Sequence, residues 1–105
     1  MPTLPLPFDE ARVREWTREI PTPFYVYDEA AIRSNARRLL DAFAWCPSFR
    51  NHFAVKATPN PHLLEVLAKE GFGSDCSSLP EMLLSEAAGI SSDRIMFTSN
   101  DTPAD

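Results

Sequence analysis

Three polar side chains stand where an alternating strand-and-helix pattern would gather them: Lys56, Asp75 and Asn100. Each ends, or nearly ends, a short apolar segment that reads as a strand. In α/β folds the carboxyl ends of the strands form the rim on which chemistry is done. A cation, a carboxylate and an amide would therefore share one rim. Apolar Phe53-Ala54-Val55 precedes Lys56. Burial among such neighbours disfavours the ammonium form, and a lysine held partly neutral can attack a carbonyl to form a Schiff base. Ala54, two residues earlier, is expected on the same face as Lys56 and leaves room for a bulky group. The competing readings are structural: Lys56 reaching from a strand end to water, Asp75 bracketing a turn, and Asn100 as a turn residue.

The other candidates carry less. Glu81 lies three residues after Ser78, the spacing of a capping box, and could also face the mouth of a barrel. His52 is expected off the face of Lys56, as a packed or surface histidine, and His62 in the first turn of a helix. Neither has a partner at metal-ligand spacing, so no metal is assigned. Cys46 and Cys76 make no CxxC pair and read as free thiols, with Cys76 packed. Trp16 and Trp45 read as packing residues.

The elements that must position these groups follow from periodicity and caps. Met1 to Pro7 is a proline-rich lead-in expected to be poorly ordered. Asp9 caps a helix to about Glu19, which Pro21 and Pro23 stop. Phe24 to Tyr27 reads as a strand. Asp28 caps a second helix to about Phe43, with Ile32, Ala36, Leu39, Leu40 and Phe43 as its apolar stripe. Arg33, Arg37 and Arg38 then form a solvated face. Phe49 to Lys56 reads as a strand, and Asn60-Pro61 starts a helix that Gly71 ends. Phe72 to Cys76 is the next strand. Ser78 caps a helix closed by Gly89, Ile95 to Ser99 is a third strand, and Thr102-Pro103 opens one more helix.

Strands alternating with helices at a spacing of about 22 residues imply a parallel sheet with helical crossovers. The fold class is α/β, either an open sheet or a (β/α) barrel. No GxGxxG or GxxxxGK[ST] follows a strand, which weighs against a nucleotide-binding open sheet. Three strands cannot close a barrel, so the 105 residues read as a truncated chain. The formal net charge of −5, with signs intermixed, disfavours nucleic acid as a partner. No segment reads as a membrane span or signal peptide, and a cytoplasmic location is the default.

Phe53-Ala54-Val55-Lys56-Ala57 followed by Asn60-Pro61 resembles the cofactor-lysine strand of the fold-type III pyridoxal-phosphate (PLP) enzymes. That family includes diaminopimelate, ornithine and arginine decarboxylases and has an alanine-racemase-like (β/α)8 barrel. Thr22 to Asp28 resembles the family's opening strand. Gly71 to Ser78 with Glu81 resembles the second barrel strand and its turn, and Arg94 to Asn100 the third. Within the family the likeness is greatest to the diaminopimelate decarboxylases.

The resemblance implies residues 1–27 as an N-terminal helix and strand, the strand joining a β-domain beyond this chain. It implies residues 28–105 as the first part of the PLP-binding barrel. It further implies PLP on Lys56 as a Schiff base, Ala54 and Asp75 against the cofactor, and Glu81, with Asn100, on the substrate side. The activity implied is decarboxylation of meso-2,6-diaminopimelate to L-lysine and CO2 by a homodimer acting on a small amino acid. The alternatives are an ornithine or arginine decarboxylase, a racemase of the same fold, or a non-catalytic regulatory homologue. Thr58-Pro59 departs from the asparagine that often follows Lys-Ala in the family, and this bears on substrate more than on the lysine.

Overall fold

The computed structural model describes residues 5–102 and 104. Met1 to Leu4 of the lead-in and Pro103 of the expected Thr102-Pro103 helix start therefore lie outside the described residues. The order of elements is α1 (Glu10–Glu19), α2 (Glu29–Ala42), β1 (His52–Ala54), α3 (Pro61–Lys69), β2 (Gly73–Cys76), α4 (Leu79–Ala87) and β3 (Ile95–Phe97). One-turn 3-10 helices occupy Val55–Ala57 and Ser92–Arg94.

Local chemistry sets the helix ends. The carboxylates of Asp9 and Asp28 accept from the amides of Arg12 and Ala31 at 2.9 and 3.0 Å. Asn60 Oδ1 accepts from the amides of His62 and Leu63, with Pro61 at the first helical position. Each cap satisfies amides that the first helical turn leaves without a carbonyl. Gly71 and Gly89 leave α3 and α4 with φ of +100° and +85°, where a side chain would be strained. The Ser78 cap departs from the expected box. Its hydroxyl donates to Glu81 Oε2 at 2.8 Å, and the same oxygen accepts from the Ser77 amide at 2.8 Å.

The strands form one parallel sheet in the order β1-β2-β3. His52, Phe53 and Ala54 stand opposite Gly73, Ser74 and Asp75. Ser74, Asp75 and Cys76 stand opposite Ile95, Met96 and Phe97. Side chains alternate between faces, so one face carries Phe53, Ser74, Cys76 and Ile95 and the other His52, Ala54, Gly73, Asp75 and Met96. The first face is covered by α3 and α4. Val55, Leu64, Cys76 and Ile90 are its buried centre, with Phe53, Ala68, Met82, Leu84 and Ile95 around them. A second cluster of Ala36, Leu67 and Phe72, flanked by Ile32, Leu40 and Leu63, joins α2 to α3.

Several expectations are corrected. The strand expected to run to Lys56 ends at Ala54, and Val55–Ala57 turns as a 3-10 helix. The strand expected at Phe24–Tyr27 pairs with nothing among the described residues, and Tyr25 is 89% exposed. A strand gains its hydrogen bonds from a neighbour, and none is present beside this segment. The arginine face of α2 is not merely solvated, because Arg33 and Arg37 both bind Glu70. Trp45 does not pack into the core: it is 78% exposed. Trp16 is half-buried and meets Phe8 edge-on at 5.2 Å.

Candidate functional site

The uncovered face of the sheet is built from small and polar side chains. Ala54 and Asp75 are direct neighbours across β1 and β2. Asp75 and Met96 are neighbours across β2 and β3. One step past β3, the Thr98 hydroxyl donates to Asp75 Oδ1 at 2.7 Å, and the Thr98 amide donates to the Cys76 carbonyl at 2.8 Å. The second bond prolongs the ladder far enough to carry the hydroxyl to the carboxylate.

Lys56 sits immediately past the carboxyl end of β1, in the middle of the Val55–Ala57 turn. Val55 is fully buried and anchors that turn, while Lys56 is exposed. Lys56 therefore lacks the buried surroundings expected from Phe53-Ala54-Val55. The turn closes with the Thr58 amide on the Val55 carbonyl at 3.1 Å, and the Asn60 amide bonds the Thr58 carbonyl at 2.8 Å.

His52 is a packed histidine, one of the two readings expected of it. It lies on the same face as Ala54, two residues before it, and stands opposite Gly73. A Cβ on Gly73 would lie 2.7 Å from His52 Cδ2 and would also strike the Arg94 carbonyl oxygen. The imidazole thus fills space that only glycine leaves, at the amino-terminal end of the sheet and away from the lysine.

Glu81 stands in the first turn of α4, at the same end of the sheet as Lys56. Its Oε2 is committed to Ser77 and Ser78, and its Oε1 is buried with no hydrogen-bond partner among the described residues. Asn100 is exposed, three residues beyond β3. The fold therefore brings Ala54, Asp75 and Thr98 together, with Lys56 at the same end of the sheet. It holds Glu81 back in its turn and leaves Asn100 at the periphery. Thr98 was missing from the sequence expectations. Its one signal is its spacing of two from Met96, whose pairing with Asp75 only the register reveals.

Among the described residues no group of three histidines, cysteines or acids could hold a metal. Among the described residues, no helix is long and apolar enough to cross a membrane. An aldehyde cofactor suits the donor set better. The residues present fit PLP: an exposed primary amine, a small side chain at Ala54 at the end of β1, and a carboxylate already oriented by a hydroxyl.

Comparison with known proteins agrees with this fit. Residues 29–105 match the family model described as pyridoxal-dependent decarboxylase, pyridoxal binding domain. The chain is 51% identical over 84% of its length to Protein TabA of Pseudomonas amygdali pv. tabaci, of which it covers 21%. It is 40% identical over 87% of its length to the diaminopimelate decarboxylase of Methanothermobacter thermautotrophicus, covering 22% of that protein. The crystal structure of diaminopimelate decarboxylase from M. jannaschi superposes with a TM-score of 0.79 at 30% identity, over 85% of this chain and 22% of that one. The chain thus spans about a fifth of the length of its relatives, and its three parallel strands are the opening arc of their barrel. It belongs to the pyridoxal-dependent decarboxylase family, as part of the pyridoxal-binding domain.

Proposed function

We propose that the full-length natural protein decarboxylates meso-2,6-diaminopimelate to L-lysine with PLP carried on Lys56. The observation that carries this reading is the exposed Lys56 amine, one short turn past the row in which Ala54 and Asp75 are paired. When bound, PLP supplies an electron sink for the pair released as the carboxylate leaves as CO2. This chain's own residues do the positioning. Lys56 offers its amine for covalent attachment, Ala54 leaves room beside it, and Asp75 presents a negative charge to the cofactor region. Glu81 and Asn100 flank the substrate side. The rest of the reading is a cytoplasmic homodimer acting on a free amino acid, with the Phe24–Tyr27 segment pairing in a β-domain contributed from beyond residue 105.

Support for the substrate comes from the diaminopimelate decarboxylases among the relatives, at 33–40% identity. The relative at 51% identity has a name that states no reaction, which keeps ornithine and arginine in the test. Borohydride reduction of the full-length holoprotein followed by peptide mapping should place the pyridoxyl label on Lys56. A label on another lysine overturns the site. CO2 release from meso-diaminopimelate, ornithine, arginine and lysine should favour the first, and preference for any other overturns the substrate.

A further inference from the structure

We propose that Thr98 is a positioning residue for the decarboxylase site, acting by holding the Asp75 carboxylate in one orientation. This rests on the reading of Lys56 and Asp75 above and adds to it a residue on a different strand. The Thr98 hydroxyl donates to Asp75 Oδ1 at 2.7 Å, a short bond of the kind made to charged acceptors. It spans 23 residues of sequence and ties the carboxyl end of β2 to the segment leaving β3. The Thr98 amide is fixed separately on the Cys76 carbonyl at 2.8 Å, so the hydroxyl is carried by backbone that is itself held.

A carboxylate at a strand end can otherwise swing about its side-chain torsions. With Oδ1 engaged from the β3 side, Oδ2 would remain available to a group on the Ala54 side of the same row. There a cofactor on Lys56 would meet a fixed negative charge instead of a mobile one. Preorganised charge of this kind stabilises a neighbouring cation without reorientation at the moment of reaction. Threonine suits the task because its branched β-carbon restricts the hydroxyl to few rotamers.

The test uses the full-length holoprotein and the variants Thr98→Val, Thr98→Ser, Asp75→Asn and the Thr98→Val/Asp75→Asn double variant. The first readout is the pH midpoint of the visible absorbance of the lysine-bound cofactor. Asp75→Asn should lower that midpoint, because a negative charge favours the protonated linkage. Thr98→Val should shift it in the same direction by less, and Thr98→Ser should restore it. The second readout is kcat, which Thr98→Val should lower roughly tenfold, the worth of one hydrogen bond to a charged group. The double variant should be no worse than Asp75→Asn alone, since the two residues act as one unit. A Thr98→Val protein with the wild-type midpoint and kcat, or additive losses in the double variant, overturns the proposal. Failure of the underlying site is seen separately, as borohydride label on a lysine other than Lys56.

Discussion

Arg37 Nε donates to Glu70 Oε2 at 2.7 Å, joining the middle of α2 to the end of α3. Arg33 Nη1 reaches Oε1 of the same carboxylate at 2.9 Å, and the Glu70 side chain is only 8% exposed. Hydrogen bonds from Arg37 first and Arg33 second hold Glu70 below its ordinary carboxylate value of 4.5. Between the lowered value and the ordinary one, the folded protein binds fewer protons than the unfolded chain. The stabilisation from this group is therefore present above the ordinary value and is lost as pH falls through the lowered one. Thermal melts of the full-length protein from about pH 6 down to about pH 3 should show a falling midpoint. Glu70→Gln should lower the midpoint at neutral pH and lose part of that acid dependence. Glu70→Ala should be worse at neutral pH, leaving Arg37 without its counter-charge and Arg33 with Glu29 alone. A Glu70→Gln melt with wild-type midpoint and slope would contradict this account.

Gly73 makes a sharper case for backbone proximity. A Cβ there would strike the Arg94 carbonyl oxygen as well as the His52 ring. Side-chain movement can relieve the second clash, but the first is with backbone in the 3-10 turn that feeds β3. Gly73→Ala should therefore cost about 1–3 kcal/mol or more through overpacking. Adding His52→Ala should recover little of it. Urea unfolding of the two variants would measure both terms, and full recovery in the double variant would show that the histidine alone sets the limit.

Much of this architecture was legible because its causes are local. Asp9, Asp28, Asn60-Pro61, Gly71 and Gly89 announce helix ends within three or four residues of sequence, and each stands where expected. What was not legible depends on contacts distant in sequence or on exact register. Nothing near Arg33 and Arg37 in sequence points to Glu70, some 33 to 37 positions away. The turn at Val55–Ala57 arises because Val55 is drawn under α3 and α4, an effect no propensity encodes. Placing Thr98 on Asp75, or His52 against Gly73, requires the pairing of β1, β2 and β3 to the residue. The proposal of Lys56 as the cofactor lysine rests on a run of coupled motifs, since its own surroundings make only a general case for amine chemistry.

The 105-residue chain by itself should show no decarboxylase activity with meso-diaminopimelate and added PLP. Three strands form only an arc, and Met96 and Phe97 on β3 remain 53% and 37% exposed. A surface of that kind cannot exclude water from a reacting centre, and no second wall faces Lys56. CO2 release measured on this chain beside the full-length protein would check the point. Turnover by the short chain comparable with the full-length rate would show that the arc is sufficient.

Asn60 links fold stability to the presentation of Lys56. Its side chain accepts from the amides of His62 and Leu63, at 3.0 and 3.3 Å, and its own amide donates to the Thr58 carbonyl at 2.8 Å. It thus caps α3, while its amide ties down the segment that follows the Val55–Ala57 turn. Asn60→Ala should cost about 1 kcal/mol, as loss of a cap usually does. Asn60→Asp keeps an acceptor at the amino end of α3 and should retain most of that stability. Because the loosened segment includes the backbone that carries Lys56, Asn60→Ala should also slow covalent capture of PLP by the full-length apoprotein. Leu64→Ala, which opens the buried core of α3, serves as the comparison. It should cost more stability, about 2–5 kcal/mol, while leaving the cap in place. At temperatures where both variants remain folded, slower capture in Asn60→Ala than in Leu64→Ala would assign the effect to the turn. The reverse order would assign it to stability alone.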